Sequence, residues 1–475
     1  MEPSRAPGVF AKVAGQDWSP ALLLFFCDVI CWVAIYGSLV LFRHDMFFSS
    51  GFEFGVIDFI QLAVIVQALF IIGGYSFRTE MRGLTYTAEH ILAMFGALAV
   101  SSLFLYAAAS FDKTMKPSRG SVLVSFAIFT PVSLLYRRTL RKRVATASAS
   151  RAFLVIGAGE MAANFYNVYR SSENQQRLEF VSLELEQVGQ KIAGPESPVV
   201  GGDLFSKLRD APSKYSGIIL AEQIERIGSE LLAHLIRLQF QRTRVYTLES
   251  FYEAQWRRVP VQAIDPFWPL QMGFQLSRSS PYHYLKRSFD LIASSVLLVI
   301  CAPLIALLAC LIWLTAGRPA IFRQARVGRE GEVFTAYKFR TMQVPAAGEQ
   351  SEDIYTREGD PRVTRLGRWM RKLRLDELPQ LWNVFNGEMS LIGPRAEWIK
   401  CAERYEQNIP FYHFRHLVKP GITGWAQVNY PYGDSDEDAV EKLKYDLYYI
   451  RHYSLTLDAM IVLKTIHTML FGKGR

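Results

Sequence analysis

Two adjacent carboxylates, Asp376 and Glu377, sit in the run Arg371-Lys-Leu-Arg-Leu-Asp-Glu-Leu-Pro-Gln380. Arg371, Lys372 and Arg374 precede them and Arg395 follows. Carboxylates held among cations stay ionised at neutral pH. An ionised aspartate can act as a nucleophile, and two carboxylates can share a divalent ion. The cations around them suit a doubly charged phosphate. The same residues also read as a helix start, with Asp376 as N-cap, Pro379 in the first turn and Gly387 ending the helix. The two readings are compatible, because a helix N-terminus attracts anions. Neighbours in a regular helix point about 100° apart, so both carboxylates reach one ion only at an irregular terminus or through water.

Further motifs follow one another along this part of the chain. They are Lys286-Arg287-Ser-Phe-Asp290, Arg326-Val-Gly328, Tyr337-Lys-Phe-Arg-Thr-Met342 and Asp360-Pro-Arg362, and then Asp376-Glu-Leu-Pro-Gln380, Ser390-Leu-Ile-Gly-Pro-Arg395, Lys419-Pro-Gly-Ile-Thr-Gly-Trp425 and Tyr445-Asp446. From Tyr284 onward, about 190 residues, the chain resembles the bacterial polyprenyl-phosphate hexose-1-phosphate transferases. These are monotopic phosphoglycosyl transferases that prime O-antigen and exopolysaccharide synthesis. The resemblance implies that Asp376 is the nucleophile and that Glu377 is a metal ligand or base, the two carboxylates holding Mg²⁺. It implies a UDP-sugar and polyprenyl phosphate as substrates, with UMP released in a two-step exchange. It also implies a bacterial inner (cytoplasmic) membrane protein with its soluble domains on the cytoplasmic side. Arg371 and Arg395 occupy positions associated with phosphate handling, and Asp446 matches an acidic residue near the site. The family's Thr-Ser before the carboxylates is here Leu373-Arg374. Lys338 and Arg340 could meet phosphates or stand at a strand edge. Trp382 and Trp425 read as core packing rather than as stacking platforms for uracil.

Those residues need elements to position them. Among 475 residues, 50% are hydrophobic, the mean hydropathy is +0.10 and the net charge is +9. Such a balance suits an anionic membrane surface and anionic substrates, with membrane lipids as partners. No nucleic-acid motif accompanies the charge. The cysteines Cys27, Cys31, Cys301, Cys310 and Cys401 lack metal-ligand spacing with histidine and read as packing residues in a reducing compartment. The first apolar run is too long for a cleaved signal.

The expected fold class is a membrane α-helical bundle of four transmembrane helices (1–145), an α/β Rossmann-like domain (146–262), a linker (263–282) and a mainly α monotopic catalytic domain (283–475). Apolar segments at roughly 20–42, 54–76, 87–110 and 118–136 approach the ~20 residues that cross a bilayer. The cluster Arg137 to Arg143 then places the following chain in the cytoplasm. Asp28, inside the first segment, is expected to make a helix–helix hydrogen bond. In the second domain Ala152–Ile156 reads as a strand, and Gly157-Ala-Gly159-Glu-Met-Ala162 turns into a helix, a weak nucleotide-loop match. Glu184 or Glu186 is a loose candidate for a ribose.

The stretch Leu291 to Leu314, broken at Ala302-Pro303, has basic residues on both flanks. Both ends therefore favour the cytoplasm, giving a re-entrant helix over about 284–316. Most family members have Ser-Pro at this bend. Leu455 to Phe471 either lies in the membrane interface or packs on the catalytic domain. Asp434-Ser-Asp-Glu-Asp438 reads as a solvated helix start and not as a calcium loop. Self-association is compatible with the sequence. Two other functions stay open: a nucleotide-sugar oxidoreductase using the Gly157 turn, and a non-enzymatic membrane scaffold or transporter. The sugar cannot be read from the residues; the resemblance favours glucose or galactose.

Overall fold

The computed structural model describes residues 19–43, 56–76, 79, 81, 83–111, 119–148, 151–172, 176–241, 243–264, 268–270, 281–343, 360, 362–430, 433 and 435–470. It divides into two compact units, Met1–Gln255 and Trp256–Arg475. The division falls inside the expected 146–262 domain. The reason is local: Trp425 Nε1 donates to Arg257 O at 2.9 Å, and Val259 N donates to Lys444 O at 2.9 Å. The chain after Trp256 is thereby fastened to the second unit. Most of the expected linker, and the acidic Asp434, lie outside the described residues.

The first unit opens with four helices: α1 (Ser19–Arg43), α2 (Val56–Ile71), α3 (Leu84–Phe111) and α4 (Arg119–Ser148). Among the described residues, α1, α3 and α4 are long and apolar enough to cross a membrane, whereas α2, with 16 residues, is shorter than a span. Phe26, Ile30, Phe95 and Leu103 point outward, as on a bundle bathed in lipid. The polar side chains turn inward. Arg137 Nη2 pairs with Asp28 Oδ2 at 2.6 Å, and Tyr75 OH donates to the same oxygen at 2.6 Å; both members of the ion pair are fully buried. Asp28 does join helices, as expected. Arg137, however, is not a free flanking charge, because its guanidinium compensates the aspartate within the bundle.

A four-stranded parallel sheet follows in the order β2-β1-β3-β4, built from β1 (Ala152–Ile156), β2 (Leu178–Val181), β3 (Tyr215–Leu220) and β4 (Val245–Thr247). Its helices are α5 (Glu160–Arg170), α6 (Leu204–Arg209), α7 (Ala211–Lys214), α8 (Ser229–Phe240) and α9 (Leu248–Trp256). Buried Leu154, Ile156, Ile218 and Val181 meet Leu231, Leu235 and Leu238 of α8 in one core. Gly157, at φ +124°, lies so close to β3 that a Cβ would stand 2.3 Å from Ala221 O. Strand packing thus accounts for this glycine without a ligand. Gly159 is the N-cap of α5 with open space around it, and Ala162 is buried inward. Glu184 is engaged by Gln187 at 2.8 Å and by Arg226 at 3.6 Å.

The second unit begins its regular structure with α10 (Tyr282–Ala316), a 35-residue helix that runs through Ala302 and Pro303 and is also long enough to span. Its first turns are tied to the domain. Arg287 donates to the carbonyls of Val384 and Phe385 at 2.7 and 2.9 Å, Asp290 accepts from Leu391 N at 3.0 Å, and Lys286 pairs with Asp458. Farther on, Leu308 and Ile312 pack with Phe339 and Met370. An antiparallel ribbon of β5 (Ile321–Val327) and β6 (Val333–Phe339) follows, then α11 (Arg365–Lys372), α12 (Gln380–Asn386), β7 (Ser390–Ile392), α13 (Ile399–Asn408), β8 (Gly421–Thr423), α14 (Trp425–Asn429), α15 (Asp436–Arg451) and α16 (Leu455–Leu470).

Helix α16 packs on this domain through buried Ile461 and through Thr465, whose hydroxyl lies 2.7 Å from that of Thr423. The acidic segment does start a helix, with a capping box between Ser435 and Asp438. Trp425 is core, as expected. Trp382 is not: it is 50% exposed and stacks on Phe385 with ring centroids 5.5 Å apart.

Candidate active site

Asp376 and Glu377 lie in a 3-10 turn, Leu375–Glu377, between α11 and α12. The expected N-cap role for Asp376 does not hold. Arg374 precedes the turn in a left-handed conformation (φ 54°), and Pro379 takes the position before α12, which ends at Gly387. This is the irregular terminus that lets two neighbouring carboxylates approach one region. The turn is held from both sides. Gly367 of α11 lies against Thr341, where a Cβ would stand 2.2 Å from the carbonyl oxygen. That closeness lets Thr364 N reach Thr341 O at 3.0 Å and Arg371 Nε reach Thr341 Oγ1 at 2.8 Å. On the other side fully buried Asn383 donates to Thr335 O at 2.7 Å and accepts from Tyr337 N at 3.1 Å, fixing α12 to β6.

Strand alternation then places the lysine. Phe334 and Ala336 of β6 face Val384 and Met389 in a small core, and Lys338 continues the same row. Its Nζ lies 3.4 Å from Glu377 Oε1; Arg395 Nη1 reaches the same oxygen at 3.1 Å, and Arg374 Nη1 stands 4.0 Å from Oε2. Burial opposes the charge on Glu377, but Arg395, Lys338 and Arg374 outweigh it and hold the carboxyl at about 2. Asp376 differs. It is half-buried and forms no hydrogen bond or ion pair with the described residues. Burial, and then the charge of Glu377, push its carboxyl up, against Lys338, Arg371 and Arg395. The site thus pairs one committed carboxylate with one that is free to react.

Lys338 is also perturbed. Burial pulls its ammonium down to about 8, Glu377 resisting and Arg395 adding to the fall. Below that pH the lysine is charged; as pH rises through about 8 the site loses a cation. We expect kcat/KM to fall on an alkaline limb near 8, and Lys338→Arg to move the limb upward, because a guanidinium stays charged. An alkaline limb unchanged in that variant excludes Lys338 as its source.

The other residues divide between the carboxylate pair and positions away from it. Arg371 touches Thr341 beside the turn. Arg340 is placed elsewhere: its guanidinium donates to the carbonyls of Ala316, Gly317 and Arg318, closing the C-terminal end of α10. Asp446 is buried and bound to Arg415 Nη2 at 3.0 Å. Burial pushes its carboxyl up to about 6 despite Arg415. The same Nη2 donates to Arg395 O at 3.0 Å, so Asp446 reaches the site through Arg415 and the backbone of Arg395. Sequence reasoning gave no role to Arg415, Thr341, Asn383 or Arg326. Arg326, whose Nη1 donates to Ala396 O at 2.6 Å, stands in a motif that could have pointed to it.

Among the described residues there is no group of three or more His, Cys, Asp or Glu placed to hold a metal. One observation favours a metal completed by substrate: Glu377 Oε2 is buried without a hydrogen-bond partner, next to Asp376. Two carboxylates plus phosphate oxygens match what Mg²⁺ ordinarily accepts.

Residues 281–472 match the family model described as bacterial sugar transferase. Exopolysaccharide production protein PSS of Rhizobium leguminosarum bv. phaseoli is 38% identical over 196 residues, 40% of this chain and 98% of its own length. The chain belongs to the bacterial sugar transferase family. A UDP-N-acetylgalactosamine-undecaprenyl-phosphate N-acetylgalactosaminephosphotransferase of Aeromonas hydrophila is 39% identical over 272 residues, 56% of this chain and 63% of its own length. A UDP-glucose:undecaprenyl-phosphate glucose-1-phosphate transferase of Escherichia coli is 40% identical over 186 residues, 38% of this chain. This sugar transferase chain spans 63% and 39% of the lengths of those two relatives. The family match contains the 375–377 turn, Lys338, Arg395 and the Arg415–Asp446 pair, all in the second unit.

Proposed function

We propose that the chain transfers a hexose-1-phosphate from a UDP-sugar to polyprenyl phosphate at the cytoplasmic face of a bacterial inner membrane. The observation that carries this reading is the uncommitted Asp376 carboxylate beside Glu377, which is buried among three cations. An Asp376 oxygen attacks the phosphorus bearing the sugar. The bond to the bridging oxygen breaks, and UMP leaves with that electron pair. A phosphate oxygen of the polyprenyl acceptor then attacks the same phosphorus, and the phosphorus–Asp376 bond breaks to return the carboxylate. Lys338, Arg374 and Arg395 offset the charge that moves between phosphate oxygens, and Glu377 keeps those cations in place. Asp376 and Glu377 would hold Mg²⁺, which when bound adds positive charge at the diphosphate.

The test is radiolabel transfer from UDP-sugars to polyprenyl phosphate, scored together with UMP release. UDP-glucose, UDP-galactose and UDP-N-acetylgalactosamine come first, from the relatives' names and the resemblance. NAD(P)H turnover without lipid labelling would instead favour the oxidoreductase reading. EDTA should stop turnover and Mg²⁺ restore it, and Glu377→Gln should lose most activity and its response to added metal. Full activity in chelator refutes the metal role.

The membrane arrangement is part of the proposal. A straight 35-residue helix would be about 50 Å long. Yet both the first turns of α10 and its last third pack on the same catalytic unit, while Ile292, Val299, Ile300 and Leu307 between them are exposed. This supports a helix that enters and leaves on one face, bending at Ala302-Pro303. Single cysteines before Lys286 and after Arg318 should label from the same side; labelling from opposite sides makes α10 a crossing. The 2-1-3-4 parallel sheet supports a Rossmann-like domain, which we place outside the transfer chemistry, with a role in regulation or self-association.

A further inference from the structure

We propose that the α/β domain binds a nucleoside phosphate at the end of its sheet opposite the glycine turn. An open cavity of about 780 Å³ lies there, a size ordinary for a small-molecule site. Its position follows from the parallel register. Gly157 and Gly159 follow the C-terminal end of β1, whereas α5 runs back and brings Tyr166, Tyr169 and Arg170 to the end where the strands begin. Arg177 immediately precedes β2, and Lys214 immediately precedes β3. All five line the cavity, together with Lys207 of α6.

The lining chemistry selects the ligand. Four cations, Arg170, Arg177, Lys207 and Lys214, face two carboxylates, Glu179 and Glu196. Glu179 Oε2 is shared by Lys214 at 3.2 Å and Lys207 at 3.8 Å, and it also accepts from Tyr215 OH at 2.7 Å. Arg170 meets Glu196 at 2.9 Å. Arg177 forms no ion pair with a described residue. The described lining residues therefore keep an excess of two positive charges, which matches a phosphate monoester dianion.

Apart from Gln176, the other described lining residues are apolar or aromatic. Pro198 and exposed Val199 line it beside half-buried Tyr166, whose ring is set edgewise to Phe180 at a centroid distance of 6.0 Å. The Tyr169 hydroxyl is already committed to the backbone of Gln176. A planar base against the Tyr166 and Pro198 side, with its phosphate toward Arg177 and Lys214, uses both halves of the lining. A bare anion uses only one. The glycine turn is not needed for this site, since strand packing already explains Gly157.

The test is equilibrium binding of AMP, GMP, CMP and UMP, each alone, to the full-length protein in detergent, with inorganic phosphate as the comparison. At least one nucleotide should bind about tenfold more tightly than phosphate. Arg177→Glu with Lys214→Glu should weaken that binding at least ~10-fold. Tyr166→Ala should weaken the nucleotide and leave phosphate unchanged. Because UMP is also the proposed product at the carboxylate site, its arm is read as the difference between wild type and the charge-reversed protein. Arg177→Gln, at an exposed position, replaces the double variant if that one misfolds. Binding no tighter than phosphate for all four nucleotides overturns the proposal, as does charge reversal without effect. The readout is binding and not turnover, so this result is independent of whether the chain proves to be a transferase.

Discussion

Asp376→Asn is expected to remove UMP release by at least about four orders of magnitude, the scale on which losing a catalytic nucleophile is felt. An amide is close in shape to a carboxylate but does not attack phosphorus. The structure makes this a clean substitution. Asp376 is half-buried and has no hydrogen bond or ion pair among the described residues, so its replacement breaks neither and removes only longer-range attraction to Lys338, Arg371 and Arg395. The variant should therefore unfold at the wild-type temperature. A second reading separates loss of the nucleophile from loss of binding. Wild-type protein given UDP-sugar without lipid acceptor should gain the mass of a phosphosugar, while the variant should bind donor and gain nothing. Near-normal turnover, or a mass increase in Asp376→Asn, would assign the nucleophile elsewhere.

What the sequence could reveal about the fold depended on how local each signal was. The run Ala152–Ile156 followed by Gly-Ala-Gly announces a strand and a turn within a few residues, and the helix after it appears where expected. The apolar segments were equally legible, since a long hydrophobic helix is a composition statement. Two features were not. In the described part of the 54–76 stretch the helix Val56–Ile71 stops short of 76, because Gly73 and Gly74 end the apolar run in a turn. The basic residues Arg137, Lys286 and Arg287 read as solvated flanks, yet each has a distant partner: Asp28, Asp458 and the carbonyls of α12. Charge patterning alone does not reveal a compensating residue about a hundred positions away.

The site shows the same division. Asp376, Glu377 and Arg395 were visible as a local motif, and Lys338 as a candidate phosphate ligand. The split between a buried, triply paired glutamate and a free aspartate was not visible, because neighbours in sequence share composition but not environment. Arg340, two residues after Lys338, was given a shared role with it. A continued strand would keep Arg340 in the row of Lys338, but the chain leaves β6 at Phe339, so Arg340 goes to the end of α10 instead. Trp382 looked like core by its apolar neighbours. In a seven-residue helix covered on one side, it falls on the open side.

Arg415 is the residue no local signal could have shown, and its loss should be the most damaging outside the carboxylate pair. It is buried between Asp446 at 3.0 Å and Glu397 at 3.6 Å, and it donates to the carbonyl of Arg395. Arg415→Ala leaves the Asp446 carboxylate buried without its cation, a change that costs about 3–5 kcal/mol. In a unit the size of Trp256–Arg475 that lowers the unfolding temperature by roughly 10 °C. The substitution also frees the backbone that aims Arg395 at Glu377, so the KM for UDP-sugar should rise even at temperatures where the variant is folded. Removing both charges, Arg415→Met with Asp446→Leu, should recover part of the stability, since the fully buried unpaired charge is then gone and only the partly exposed Glu397 loses its partner, but not the KM. That split is the decisive reading. A folded Arg415→Ala protein with wild-type KM would make the residue a support of the core alone. A raised KM in both variants makes it the positioning residue through which buried Asp446 acts on the reacting phosphate.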